Sequence, residues 1–253
     1  MNKLILLSGN DFPIEQLHLL IHPPTIKEIG LIGEDKFFSG CEVLRFTKNK
    51  LTTEDKNHLE NISNFDIIMS IMREKNPKMQ ESKANALLVL SLLFPTYEVS
   101  IDTNRIKFVQ GDLTFYIDSS NYDCFVSVLN ELLGLDGSET TSDYNPSGTL
   151  ASKIADKLRD RHAKLTKQGK EGQETAILSR YISILAVGEN KDMNTLLSYT
   201  CFQIFDEFER FQLKEDFEHQ RASLLAGAKK EDVGEITNWM KDIHSNIDSN
   251  LGS

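Results

Sequence analysis

The segment 97–117, YEVSIDTNRIKFVQGDLTFYI, contains three β-strand patterns in succession and decides the fold class. Apolar side chains alternate with polar or smaller ones over 97–101, 105–109 and 113–117, as in strands that bury one face of a sheet. The turn Gln110–Asp112, with glycine at its centre, joins the last two runs and is typical of a β-hairpin. The segment therefore predicts a small antiparallel sheet in a chain whose other patterns are mostly helical.

Helical patterns flank this sheet on both sides within the first 135 residues. Thr25 and Glu28 have the spacing of a capping box, in which each side chain bonds the other residue's backbone N–H at a helix start. The short apolar runs 3–7 and 17–21 are compatible with β-strands. Residues 1–135 are thus predicted to form an α+β domain. Its predicted helices are 26–44 (with a break allowed by its glycines), 53–62, 65–73, 78–94 and 122–133.

A polar segment divides the chain into two parts. Residues 136–148 are rich in turn formers and are predicted to be a linker. Beyond it, 149–253 is predicted to be a helical domain, a mainly α-helical bundle, because apolar residues recur there at helical spacing. The helices predicted in this part are 150–167, 176–187, 196–225 with a break or kink near 198–200, and 235–244.

Charge and composition exclude several classes of protein. The 253 residues are 40% hydrophobic, enough for a sizeable core, and carry a net charge of −10. That charge argues against an unspecific nucleic-acid binder and against an anionic membrane surface as the main partner. The apolar run at the N-terminus is too short for a signal peptide, and no stretch approaches the length of a membrane span. We therefore expect a cytoplasmic protein.

A search for catalytic and ligand-binding patterns gives no candidate. Phosphate-binding loops, nucleophile elbows and zinc-protease motifs are absent from the sequence, and the three cysteines are far apart. His18 and His22 lie on one face of a predicted edge strand without further ligands. Asp216 and His219 share a helix face, but the second such pair that a di-iron site needs is missing. We predict no catalytic, cofactor-binding or metal-binding residues, and no cofactor.

Two charged stretches are candidate interaction surfaces. Residues 153–170 carry seven positive side chains, and 206–218 are predominantly acidic. A nucleic-acid surface is disfavoured because no aromatic residue interleaves the basic ones for base stacking. The two stretches are predicted to face each other, or each to face a protein partner.

An aromatic stripe runs along the same acidic stretch. Phe202, Phe205, Phe208 and Phe211 follow one another at steps of three residues. A bundle core is the favoured interpretation of this stripe. The alternative is an apolar surface that captures an unfolded or helical partner, and under it these four phenylalanines are the partner-binding residues.

Two parts of the chain resemble a phage protein family. Pro24–Glu28 with Ile32–Phe38, and Tyr199–Phe211 with the closing Asn238–Met240, are similar to tail-assembly chaperones and baseplate-hub assembly proteins of tailed bacteriophages. The resemblance covers about Ile21–Leu44 and Tyr199–His244. It implies a non-enzymatic viral protein in the bacterial host cytoplasm or the virion, with tail or baseplate proteins as partners. Thr25 and Glu28, at the helix start that carries the resemblance, are predicted as further partner contacts.

Three functions remain open at this stage. The first is a morphogenesis factor that holds a tail or baseplate protein by protein–protein contact, as a chaperone does. The second is a structural subunit of the virion in its tail, baseplate or neck, and the third is an enzyme with an unrecognised site. An oligomer is compatible with the first two functions, because both need exposed apolar patches.

Overall fold

The structure is a computed structural model that describes residues 3–48, 62–74, 76–134, 177–240 and 243. Within these ranges the fold class is α+β, as predicted, with helices, small antiparallel sheets and a helical C-terminal region. The predicted linker 136–148, the predicted helix 150–167 and the basic stretch 153–170 lie outside the described residues. The predicted helix 53–62 also lies outside them, Ile62 excepted.

The elements follow one another along the chain as short helices and hairpins, then longer helices. They are α1 (Lys3–Ser8), β1 (Phe12–Ile14), β2 (Leu19–Ile21), α2 (Ile26–Ile32), α3 (Glu34–Leu44), α4 (Asn64–Arg73), α5 (Pro77–Leu93), β3 (Glu98–Asp102), β4 (Arg105–Gln110), β5 (Leu113–Ile117), α6 (Tyr122–Leu132), α7 (Ile177–Gly188), α8 (Met193–Leu197), α9 (Cys201–Leu225) and α10 (Lys230–Val233).

The three-stranded sheet forms as the alternation predicts. Its order is β3-β4-β5 with antiparallel pairing, and Val99 pairs with Phe108, which pairs with Phe115. These partners share one face because opposite residues in a ladder point the same way. The ring of Phe94, just after α5, packs against that face with its centroid 4.8 Å from that of Phe108. The sheet is thereby covered by helices on its apolar side.

The N-terminal residues correct one prediction. Lys3–Ser8 forms α1 and not the strand predicted over 3–7, while the strand predicted over 17–21 is confirmed in part, as β2 over Leu19–Ile21, which pairs with β1. A short apolar run is compatible with either state. Here the helix places Leu6 in the core and ends at Gly9, whose φ of 66° suits glycine. His18 lies in the turn between β1 and β2 at a φ of 53°, and so not on the predicted edge strand.

The helix predicted over 26–44 is divided, and its second half enters the centre of the molecule. The break falls at Gly33, with a φ of 97°, between α2 and α3. α3 packs against α5, and Gly40 allows the two backbones to approach closely beside Asn85 and Val89. The predicted helices 65–73, 78–94 and 122–133 are confirmed as α4, α5 and α6.

The C-terminal elements confirm two predictions and correct another. The helix 176–187 is confirmed as α7, and the predicted break near 198–200 separates α8 from α9. The helix predicted over 235–244 is wrong, because its described residues up to Met240 are not helical. Gly234, with a φ of 79°, ends α10, and the Gln220 side chain then bonds the carbonyl of Glu235 and the N–H of Thr237. Those bonds hold this segment along α9 in a non-helical path.

Elements on both sides of the predicted linker contribute to one buried cluster of apolar side chains. The N–H of Ile26 donates to the carbonyl of Tyr199 at 2.7 Å, and Thr25 forms an antiparallel bridge with Thr200. The core therefore includes the start of α9 together with α2, α3 and α5. Among the described residues, no helix is both long and apolar enough to cross a membrane.

Candidate partner-binding groove beside Phe205

Two capping boxes meet where α2 and α9 begin. Thr25 donates its N–H to Glu28 Oε2 at 2.7 Å, and Glu28 donates its N–H to Thr25 Oγ1 at 3.3 Å. Thr200 and Gln203 repeat the arrangement, with Thr200 N–H donating to Gln203 Oε1 at 2.8 Å. The capping box predicted from the sequence is confirmed, and the second one explains why α9 starts after the break. The polar groups of Thr25 and Glu28, predicted as partner contacts, are engaged in bonds within the chain.

His22 lies beside this junction between two carboxylates. Its Nδ1 is 2.6 Å from Asp11 Oδ1 and its Nε2 is 3.2 Å from Glu28 Oε2. Partial burial lowers the pKa of His22, but the hydrogen bonds and charges of both carboxylates outweigh it, so the pKa is raised above 6.5. Burial of Glu28 has the opposite effect and raises the pKa of this carboxyl group. Its bonds with Thr25 and His22 outweigh burial, so the pKa of Glu28 is lowered below 4.5. Through both ring nitrogens His22 therefore ties the loop before β1 to α2.

The chemistry of a metal or thiol site does not emerge from the described residues. No group of three or more His, Cys, Asp or Glu side chains among them is arranged to hold a metal ion. Cys41 and Cys201 are buried free thiols. Burial raises the pKa of Cys41 to about 12 and that of Cys201 further still, which removes the reactive thiolate at neutral pH.

The aromatic stripe packs α9 against α7. Phe202 is buried at 2% exposure, and the other three predicted phenylalanines are half-buried against the core. Tyr181 of α7 receives two of them, because Phe208 stacks on its ring with centroids 3.9 Å apart and Phe205 meets its edge at 5.7 Å. Phe211 lies directly over Gly188 at the end of α7. The stripe thus forms an interhelical contact, the interpretation favoured from the sequence, and whether it also binds a partner remains a prediction.

A groove opens beside Phe205, between α3, the end of α6, and the starts of α7 and α9. Its volume is about 550 Å³, within the range of protein ligand sites. Gly134, at a φ of 64°, passes against the Phe205 ring and brings the end of α6 to the groove. Ile177 is 40% exposed and open to solvent there. The apolar side chains that line the groove are Phe38, Leu133, Ile177 and Phe205.

The charged side chains of the groove come from α3. Glu34, Phe38 and Glu42 follow at steps of four residues, which places them on one face of α3. Asp35 and Arg45, the residue that caps the end of α3, join them. Glu34 Oε1 accepts a hydrogen bond from the N–H of Leu178 near the start of α7 at 2.8 Å. A carboxylate is favourable there because a helix N-terminus carries partial positive charge. The groove therefore has an apolar floor and a predominantly acidic wall. We call the charged side chains that form this wall, those of Glu34, Asp35, Glu42 and Arg45, the groove wall.

Sequence reasoning identified Phe205 and favoured 23–44 as a partner surface, but it singled out Thr25 and Glu28 there and not the groove wall, and it missed Tyr181. The helical spacing of the groove-wall residues was visible in the sequence, yet nothing in it indicated which helix the exposed face would meet. Among the described residues, an acidic side chain of α9 has a basic neighbour from outside that helix. Glu207 pairs with Lys191 from the turn after α7, and Lys191 also contacts Glu189 at 3.1 Å. The predicted pairing with 153–170 concerns residues outside the described part of the chain.

Comparison with known proteins gives one partial match. The family model described as the YomV second domain matches residues 167–244, a range that includes α7 to α10. That family is phage-derived, so the match supports a phage protein. No curated protein matches the chain, and no solved structure does. The matched range supplies Ile177 and Phe205 on one side of the groove, while the groove wall on α3 lies outside it.

Proposed function

We propose that this chain is a non-enzymatic phage morphogenesis protein that acts by protein–protein contact in tail or baseplate assembly. The observation that carries the proposal is the match to a phage-derived domain over the elements that form one side of the groove. The resemblance of Pro24–Glu28 and Tyr199–Phe211 to tail-assembly proteins adds to it. In this role the protein holds a tail or baseplate component in the host cytoplasm through the groove and keeps it soluble.

The form of the groove supports contact with a protein. Its floor exposes apolar side chains beside polar ones, which is the composition of surfaces that bind an apolar anchor from a partner. Ile177 stands 40% exposed at its edge. A large apolar side chain from a client would cover this residue and thereby gain contact area.

Co-expression with the tail and baseplate proteins of the same phage tests the proposal. We expect the soluble yield of one of these proteins to rise with the wild-type chain and to fall back with Ile177→Asp, which places a charge in the groove. Val187→Asp is the matched control, because Val187 is another branched aliphatic residue of α7, 83% exposed and away from the groove lining. Full rescue by Ile177→Asp, or clients that are equally soluble without this chain, would contradict the proposal.

Analysis of purified virions separates the proposed role from that of a structural subunit. A transient assembly factor is absent from mature particles, whereas a tail, baseplate or neck subunit is present in fixed stoichiometry. We expect mass spectrometry of purified particles to find no stoichiometric amount of this chain. Fixed copies per particle would assign it to the virion structure instead.

A further inference from the structure

The identity of the groove's occupant follows from the charges around its apolar floor. Glu34, Asp35 and Glu42 supply three carboxylates, and Arg45 is the one cation among its described lining residues. Glu34 already accepts a bond from Leu178. Asp35 and Glu42 take part in none of the ion pairs formed among the described residues, and both side chains are exposed. Asp35 and Glu42 are thus positioned beside an apolar pocket without an ion pair among the described residues, and carboxylates outnumber the single described cation of the lining.

We propose that the groove binds a cationic amphipathic helical segment of a partner protein. An apolar side chain of that segment enters between Phe38, Ile177 and Phe205, and Lys or Arg residues one turn away lie over Asp35 and Glu42. Apolar anchors at helical spacing are the usual way in which a groove recognises a helix, and complementary charge fixes its register. This inference rests on the proposed function and names the chemistry of the client segment.

The same charges disfavour other occupants. Phosphate groups of a nucleotide or nucleic acid would meet carboxylates where such ligands require positive charge. A second copy of this chain, with its net charge of −10, would add like charges across the contact unless it presented its basic stretch 153–170, which the substitutions below test. A cationic segment avoids both penalties.

Binding of designed peptides to the full chain tests the inference. The probe is a fluorescein-labelled amphipathic helix made of Leu and Lys, and its counterpart contains Glu in place of Lys. We expect fluorescence anisotropy to show binding of the Leu/Lys peptide, weaker binding at high salt, and no measurable binding of the Leu/Glu peptide. Equal binding of the two peptides would overturn the proposal.

Because any acidic protein attracts a cationic peptide, the location of binding needs a charge-matched comparison. The groove variant is Asp35→Asn with Glu42→Lys, and the control is Glu15→Gln with Glu98→Lys, which changes the net charge equally at exposed sites away from the groove. We expect the groove variant to weaken binding about tenfold or more and the control to stay within about twofold of wild type. Equal losses in the two variants would show unspecific attraction and overturn the proposal.

Folding and the chain's own basic stretch require two further measurements. Matching far-ultraviolet circular dichroism and unfolding midpoints establish that both variants are folded. Ile177→Ser tests the apolar anchor without changing charge, with an expected loss of affinity of about fivefold.

Replacement of Lys153, Lys157, Arg159 and Arg161 by Ser leaves the affinity unchanged if the occupant is a partner. A tenfold gain in affinity would identify the chain's own segment as the occupant and overturn the proposal. Peptide binding without any effect on client solubility would instead contradict only the proposed function.

Discussion

Two of the described helix contacts have a glycine against the neighbouring helix, and they differ in what faces that glycine. At the α3–α5 contact, a Cβ on Gly40 would overlap the backbone carbonyl of Asn85 and the side chain of Val89. At the α7–α9 contact, a Cβ on Gly188 would overlap the ring of Phe211. A backbone carbonyl within a helix cannot withdraw without moving the helix, whereas a half-buried ring can rotate about its side-chain torsions.

The difference separates a rigid part of the structure from an adaptable one. Around α3 and α5 the core is fully buried, with Phe37, Val89 and Leu90 at 1% exposure or less. Around α7 and α9 buried side chains such as Leu185 and Ile204 are joined by half-buried rings, among them Phe208 stacked on Tyr181. α3 takes part in both, because one face enters the core and a neighbouring face forms the groove wall. The proposed binding groove is thus attached to a helix whose other side is tightly packed in the core.

The largest expected effect comes from closing the gap at the α3–α5 contact. Gly40→Ala should destabilise the protein by about 3 kcal/mol, because the added methyl group forces two helices apart in a packed core. Urea unfolding measures the change. Gly30→Ala is the control, since Gly30 lies in α2 with nothing near its Cβ position, and there alanine should stabilise by about 0.5–1 kcal/mol. Similar destabilisation in both variants would show that helix packing at Gly40 is not the cause.

A smaller effect is expected at the α7–α9 contact. Gly188→Ala should cost about 1–2 kcal/mol, because the Phe211 ring can rotate away from the new methyl group at the loss of part of its packing. A double-mutant cycle with Phe211→Leu isolates the contact, and the two substitutions should be clearly non-additive. A loss as large as that of Gly40→Ala, or strict additivity with Phe211→Leu, would contradict the idea of an adaptable contact.

The smallest effect is expected beside the junction where α2 and α9 begin, at His22 and Glu28, and it depends on pH. The folded pKa of His22 is raised, so its contribution is complete below the unfolded pKa near 6.5 and is lost as pH rises through the folded value. Glu28 has a lowered pKa, so its contribution is present above 4.5 and is lost as pH falls through the folded value. His22→Asn should therefore destabilise by about 0.5–1 kcal/mol near pH 6, kept small because both carboxylates are partly solvated, and by less near pH 9.

His18→Asn is the matched control for that pH dependence. His18 adopts a φ of 53°, a conformation that asparagine tolerates well, and no described ion pair involves it. NMR titration of the imidazole protons should give a pKa above 6.5 for His22. A His22 pKa at or below 6.5, or a cost of His22→Asn that does not change with pH, would show that the pair of carboxylates does not hold the imidazolium.

Local periodicity accounts for the parts of the fold that the sequence predicted. Several apolar residues recur at one spacing in the strands 105–109 and 113–117 and in the helices 78–94 and 122–133. That spacing alone predicts the type of each element, and tertiary packing only reinforces it. Lys3–Leu7 has too few residues to distinguish a helix from a strand. The path of 235–240 depends on the side chain of Gln220, which no local pattern reveals. For the groove, the spacing on α3 was visible, but its proximity to Phe205 depends on how distant helices pack.

The bridge between Thr25 and Thr200 has a consequence for the order of folding during synthesis. The two bridged backbone segments are separated by most of the chain, so the bond from Ile26 N–H to the Tyr199 carbonyl forms only after Tyr199 has left the ribosome. Until then the capping box of α2 has to persist, as does the sheet, without the segment around Tyr199 and Thr200. The N–H of Ile26 lacks its carbonyl acceptor during that time. Contacts of such long sequence separation form slowly and late. A nascent chain arrested before Thr200 therefore exposes the apolar surface that Phe202 and Ile204 later cover.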